Sequence, residues 1–116
     1  MAVDESRALT TGERRLLDGL LAHDFPGVTE LRVQALGVRA RKGCQCGCGT
    51  IDLIVPEPRP PRSEAANPVP VEGVLRDDAG GVLLFVSDGM LASLEVCSFG
   101  DPLPLPRLEQ VTWEGP

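Results

Sequence analysis

The sequence has no tyrosine and only four aromatic residues in 116 positions, Phe25, Phe85, Phe99 and Trp113. The core must therefore be built from aliphatic side chains. Basic residues are scarce in the second half: residues 63 to 116 carry only Arg76 and Arg107 against nine Asp and Glu, whereas residues 1 to 62 carry nine Arg and Lys against eight acids. A phosphate backbone is held by clustered Lys and Arg, often with stacking aromatics. Both are missing over most of the chain, so no nucleic-acid partner is expected. No window approaches the roughly 18 apolar residues of a membrane span, so no membrane partner is expected either. Met1 to Ser6 lacks the basic start and apolar run of an export signal. The expected compartment is cytoplasmic, where cysteines stay reduced.

What is abundant is proline and glycine, 11 and 13 residues. They imply much loop in a chain whose 42% apolar and 24% charged residues otherwise describe an ordinary globular protein. The length fits one domain over 1–116. Residues 1–9 read as a flexible start, 56–70 as a proline-rich surface loop and 107–116 as a C-terminal tail.

Thr10-Thr11-Gly12-Glu13 has the pattern of a capping box, which predicts a helix start. Leu16, Leu17, Leu20 and Leu21 then share one helical face, and Phe25-Pro26-Gly27 ends the helix. Val28 to Ala35 reads two ways, since Val28, Leu31 and Ala35 give a helical stripe while Leu31, Val33 and Ala35 alternate as a strand would; a short helix with Gly37 just past its end is the favoured reading. From Leu36 the period becomes two, with Leu36, Val38 and Ala40 on one strand face. Ile51, Leu53 and Val55 repeat the pattern in the opposite phase, which places a turn or a bulge within Gly43 to Gly49, and the expected arrangement is a β-hairpin. Pro56 to Pro70 holds six prolines and cannot pair as a central strand. Val71 to Arg76 reads as a short strand and Val82 to Val86, continuously apolar, as a strand buried on both faces. Asp88-Gly89 is a hairpin signal, followed by a strand from Met90 to Phe99 with Met90, Ala92, Leu94 and Val96 on one face.

The expected fold is α+β, with one or two N-terminal helices packed on a mainly antiparallel sheet of four to five strands. Leu16, Leu17, Leu20, Leu21, Val38, Leu53, Leu84, Val86, Leu94 and Val96 should form its core.

One stretch stands out chemically. Gly43-Cys44-Gln45-Cys46-Gly47-Cys48-Gly49 holds three of the four cysteines, the fourth being Cys97. Cys44, Cys46, Cys48 and Cys97 could together ligate a structural zinc if Gly47 folded the row into a cup and the strand of Cys97 lay beside it. No other cofactor is expected. Their C-x-C-x-C spacing differs from the usual zinc knuckle, and in an extended strand the thiols would stand in a row about 7 Å apart. Two further readings stay open: the thiols pack as small hydrophobes, or Arg39, Arg41 and Lys42 lower a thiol pKa for redox chemistry. His23, the only histidine, suits a helix C-terminus. Asp88 and Glu95 are each explained by a turn and a solvent-facing strand position. Gly80-Gly81 lacks the lysine and helix of a phosphate loop. No catalytic grouping emerges, and no enzyme is expected.

Several fragments occur in a suggestive order: Phe25-Pro26-Gly27, Glu30-Leu31-Arg32 with Gln34, Cys46-Gly47-Cys48 running into Ile51 and Leu53, Leu84-Phe85-Val86 before Asp88-Gly89, and Leu94-Glu95-Val96 before Asp101-Pro102. Over residues 16 to 106 they resemble a family of small, functionally uncharacterised actinobacterial proteins. The resemblance implies a compact domain with strands around the Asp-Gly hairpin, and it implies no activity.

The leading functional expectation is a small interaction protein, monomeric or homodimeric, whose acidic half meets a basic protein partner. By size and charge alone it compares with immunity and antitoxin proteins. A zinc-binding module and a thiol-based redox protein are the alternatives.

Overall fold

In the computed structural model, which describes residues 6–42, 49–76, 80–98 and 104–114, two helices pack on one face of a seven-stranded antiparallel sheet. The elements are β1 (Arg7–Ala8), α1 (Thr11–Leu21), α2 (Val28–Gly37), β2 (Arg39–Lys42), β3 (Ile51–Ile54), β4 (Glu72–Leu75), β5 (Gly80–Ser87), β6 (Met90–Ser98), a 3-10 turn (Leu108–Gln110) and β7 (Val111–Glu114). The strands lie in the order β1-β2-β3-β6-β5-β4-β7. The α+β class is as expected, but the sheet has seven strands rather than four or five.

The first helix begins as its sequence predicts. The Thr10 hydroxyl accepts the Glu13 N–H at 3.1 Å, and Glu13 Oε1 accepts the Thr10 N–H at 2.9 Å, which satisfies two amides that have no partner inside the helix. Leu16, Leu17, Leu20 and Leu21 are all buried. Each contributes about 1.5–3 kcal/mol by leaving water. The two helices also finish one another. Arg14 of α1 donates to the Ala35 carbonyl at the end of α2, at 2.6 Å, while Arg32 of α2 donates to the Leu21 carbonyl at the end of α1, at 2.7 Å. Neither helix has a basic residue in its own last turn. The neighbouring helix supplies the cation that its terminal carbonyls favour.

The hairpin between β2 and β3 forms with Ala40 opposite Leu53 and Lys42 opposite Ile51. Even positions thus face odd ones, which accounts for the reversal of apolar phase across residues 43–48, themselves outside the described residues. The Asp88-Gly89 turn joins β5 to β6 with φ of 52° and 76°, the left-handed pair that a two-residue hairpin requires.

Four local expectations need correction. Leu36 does not begin a strand: α2 runs through Gly37, the backbone becomes extended only at Val38, and Leu36 is left 83% exposed on the helix. On β6 the buried residue near the turn is Leu91. Phe85 pairs with Ser93 but Val86 with Leu91, so Ala92 is the extra residue of a β-bulge and the alternation slips by one. The apolar run of β5 is buried on one face only; Val82, Leu84 and Val86 meet the helices, while Leu83 and Phe85 are half-buried on the other side. Finally, residues 111–114 form a strand rather than a tail. Val111 and Trp113 turn towards the helices, and the Trp113 ring centroid lies 6.1 Å from that of His23.

Residues 55–71 contain no helix or strand, yet they are tied down. Ser63 donates to the Gly27 carbonyl at 2.6 Å, its N–H reaches the Gly89 carbonyl at 2.8 Å, and Val69 N–H reaches the Leu84 carbonyl at 3.0 Å. The loop is stitched to both layers.

Candidate functional site: the open face of the sheet

The alternation of a strand sends successive side chains to opposite faces. In this sheet the helices take one set, namely Ala40, Ile51, Leu53, Val82, Leu84, Leu91 and Leu94 with their neighbours. The complementary set faces away from both helices. It comprises Arg39 and Arg41 on β2, Asp52 and Ile54 on β3, Ser93, Glu95 and Cys97 on β6, Leu83 and Phe85 on β5, Glu72 and Val74 on β4, and Thr112 and Glu114 on β7.

The register sorts these residues into a charge gradient across the strands. Glu72 stands directly opposite Glu114, and Leu83 directly opposite Glu95. Because Gly73 pairs with Val82, Leu83 falls beside Glu72, and the sequence Glu114, Glu72, Leu83, Glu95 forms one row over four adjacent strands. With strands about 4.8 Å apart the row spans about 14 Å. Among the described residues none of these three carboxylates has an ion-pair partner. Glu95 accepts a single long hydrogen bond among the described residues, from the Ser93 hydroxyl at 3.5 Å. The opposite end of the face is basic but engaged: Arg41 pairs with Asp52 at 3.5 Å, and Arg39 donates to the Ser6 hydroxyl and carbonyl at 3.0 and 2.9 Å. Between the two ends lie Phe85, Leu83, Val74 and Ile54, all half-buried.

The remaining described acids of the C-terminal half are placed elsewhere. Asp88 pairs with Arg62 at 3.2 Å at the hairpin tip, Glu64 lies in the proline-rich loop and Glu109 in the 3-10 turn. Asp88 and Glu95 are not brought together, since about 20 Å of strand separates the turn from Glu95. The ion pair of Arg7 with Glu13 serves structure. Glu13 is held below the ordinary carboxylate range, first by its hydrogen bonds to Arg7 at 2.7 and 2.9 Å and then, against the cost of burial, by the Thr10 amide.

Of the four candidate zinc ligands, the structure places Cys97 on the open face of β6, opposite Gly81 and partly buried. Cys44, Cys46 and Cys48 lie outside the described residues. Among the described residues no three His, Cys, Asp or Glu side chains are grouped to hold a metal ion, and no helix is long and apolar enough to cross a membrane.

No protein-family model, curated protein or solved structure matches this chain.

Sequence reasoning missed the row because one end of it, Glu114, lies on β7. The signal was present in the alternation of Val111 and Trp113 with Thr112 and Glu114, which is a strand period of two.

Proposed function

We propose that this protein is a non-enzymatic interaction module that takes a basic protein partner on the open face of its sheet. The observation that carries the reading is the row Glu114, Glu72, Leu83, Glu95. Like charges directly opposite on neighbouring strands are unfavourable to the fold, and a cationic surface laid over them removes that penalty on binding. The half-buried Leu83, Phe85, Val74 and Ile54 provide apolar area beside the carboxylates, as an interface centre requires. Carboxylates at one end of the face would steer a basic partner and set its orientation. In size and charge this is how an immunity or antitoxin protein covers its target, and the comparison extends no further than that.

Site-specific photo-crosslinking in cells tests the reading. A benzophenone side chain at Leu83 or Thr112 should give a defined adduct with a basic protein, and one at Arg15, on the exposed side of α1, should not. The adduct should disappear when Glu72, Glu95 and Glu114 are all changed to Lys. Adducts that survive this charge reversal, or that form equally from Arg15, would overturn the proposal.

A further inference from the structure

The C-terminal segment, residues 104–114, lies against the rest of the molecule without entering its core. The core cluster runs from Leu16 to Leu94 and takes no member from this segment. Leu105, Leu108, Val111 and Trp113 pack against that cluster from outside, each of them half-buried.

What these side chains rest on is glycine. Leu105 lies over Gly12 and Gly49, Leu108 and Trp113 over Gly19 of α1, and Val111 and Trp113 over Gly73 of β4. A Cβ on Gly19 would come within 2.8 Å of Trp113 Cζ2, and one on Gly73 within 2.9 Å of Trp113 Cζ3. Glycine permits this close approach but offers no side chain to interlock with, so the segment sits in a shallow track.

Its polar ties are few. β7 pairs with β4 alone, over four residues. Arg107 and Gln110 close the 3-10 turn on each other, with both bonds at 2.9 Å. Apart from the β4 ladder, no hydrogen bond or ion pair holds 104–114 to the other described residues. One pair in that ladder is repulsive, since Glu114 faces Glu72. Half-buried apolar contacts and a single exposed ladder are the marks of a unit that opens before the rest of a fold does.

We infer that residues 104–114 form a strap that releases as a unit while the core stays folded, and that its release switches off the open face of the sheet. Glu114 ends the acidic row and, with Glu72, Leu83, Pro68, Val69 and Pro70, lines a pocket of about 280 Å³ on that face. A released strap takes Glu114 away, leaving the row two carboxylates and the pocket one wall short. A basic partner that needs the complete row binds the docked form and in turn holds the strap down. The switch rests on the open face being the partner's site; the strap itself does not.

Amide exchange of the full chain at rising, sub-denaturing urea tests the strap. The β7 amides bonded to β4 should exchange at least about a hundredfold faster than the amides joining β5 to β6, and with a weaker dependence on urea. Gly19→Ala separates strap from core. Alanine favours the helix, yet its methyl group strikes Trp113, so exchange in β7 should quicken about tenfold while exchange between β5 and β6 does not. Equal rates and urea dependence in the two regions, or no acceleration of β7 by Gly19→Ala, would overturn the strap.

Trp113→Ala tests the switch, because Trp113 anchors the strap on the helical side and turns away from the open face. With the β5–β6 amides still protected, this variant should lose the crosslinked adduct from Leu83. A full adduct would overturn the switch, and lost β5–β6 protection would make the segment part of the core and overturn the strap. If the parent protein gives no adduct, the open-face reading fails and the switch with it, while the exchange rates still decide the strap.

Discussion

Gln34 and Leu91 lie 57 positions apart, and the Gln34 Oε1 accepts the Leu91 N–H at 2.9 Å inside the protein. The same amide donates to the Gly89 carbonyl at 2.9 Å and to the Pro61 carbonyl at 3.1 Å. One side chain on α2, 1% exposed, thereby holds the β5–β6 hairpin and the proline-rich loop together. A glutamine fits because it offers an acceptor and two donors at once.

Gln34→Leu should therefore be destabilising although it adds a hydrophobic residue to the core. It leaves the Leu91 N–H buried without a partner and gives up the bond to the Pro61 carbonyl, a loss of about 1–3 kcal/mol. Urea unfolding measures it. Amide exchange at Leu91 should accelerate as well, and an unchanged midpoint would show that water or a loop shift replaces the three bonds.

The acid side of the stability profile should depend on Glu13. Its carboxyl group titrates lower in the folded than in the unfolded protein, chiefly through Arg7, so the folded state binds fewer protons. That stability is complete above the unfolded value of about 4.3 and fades as pH falls through the lower folded value. Glu13→Gln retains an oxygen for the Thr10 amide but loses the charge. With Arg7 half exposed, the cost at neutral pH should be only about 0.5–1 kcal/mol. The gap between variant and parent should shrink from pH 6 to pH 3 in unfolding titrations.

Two glycines should respond in opposite directions to the same change. Gly27 has φ of 89° and precedes α2, and a Cβ there would collide with the Ala65 backbone nitrogen and the Ser63 hydroxyl. Gly27→Ala should cost about 2–3 kcal/mol. Gly37 is helical, with no positive φ and nothing within 4 Å of where an added methyl group would sit, so Gly37→Ala should gain about 0.5 kcal/mol. Thermal unfolding of both variants checks the pair.

Local chemistry was legible wherever a single segment decided the outcome. The Thr10–Glu13 box, the four leucines of α1 and the Asp88-Gly89 turn each follow from a few adjacent residues, and all ten expected core residues are buried. What escaped depends on partners distant in sequence. β1 is two residues long, Arg7 and Ala8, and exists by pairing with Arg39 and Ala40. β7 exists by pairing with β4, where Trp113 packs over Gly73. The slip at Ala92 is set by the register with β5. The open face itself was hidden by the apolar run Val82 to Val86, which reads as doubly buried although only alternate residues meet the helices. The candidate sites divide in the same way: the acidic half was visible as composition, but its alignment into a row needed the strand order.

The row makes a prediction that separates folding from binding. Glu72 faces Glu114 with neither carboxylate in an ion pair among the described residues. Glu72→Lys turns a repulsive cross-strand pair into an attractive one, so the variant should be more stable than its parent by about 0.3–1 kcal/mol at low salt. Both charges are exposed, so the gain should fall as salt shortens the screening length from about 10 Å at 0.1 M to about 3 Å at 1 M. The same substitution should weaken any basic partner that uses this face, an instance of stability traded for function. Urea unfolding at the two salt concentrations decides the first half, and a gain independent of salt would mean that the two carboxylates do not interact. Crosslinking from Leu83 in the Glu72→Lys background decides the second: a more stable protein that still gives the full adduct would separate the row from the partner.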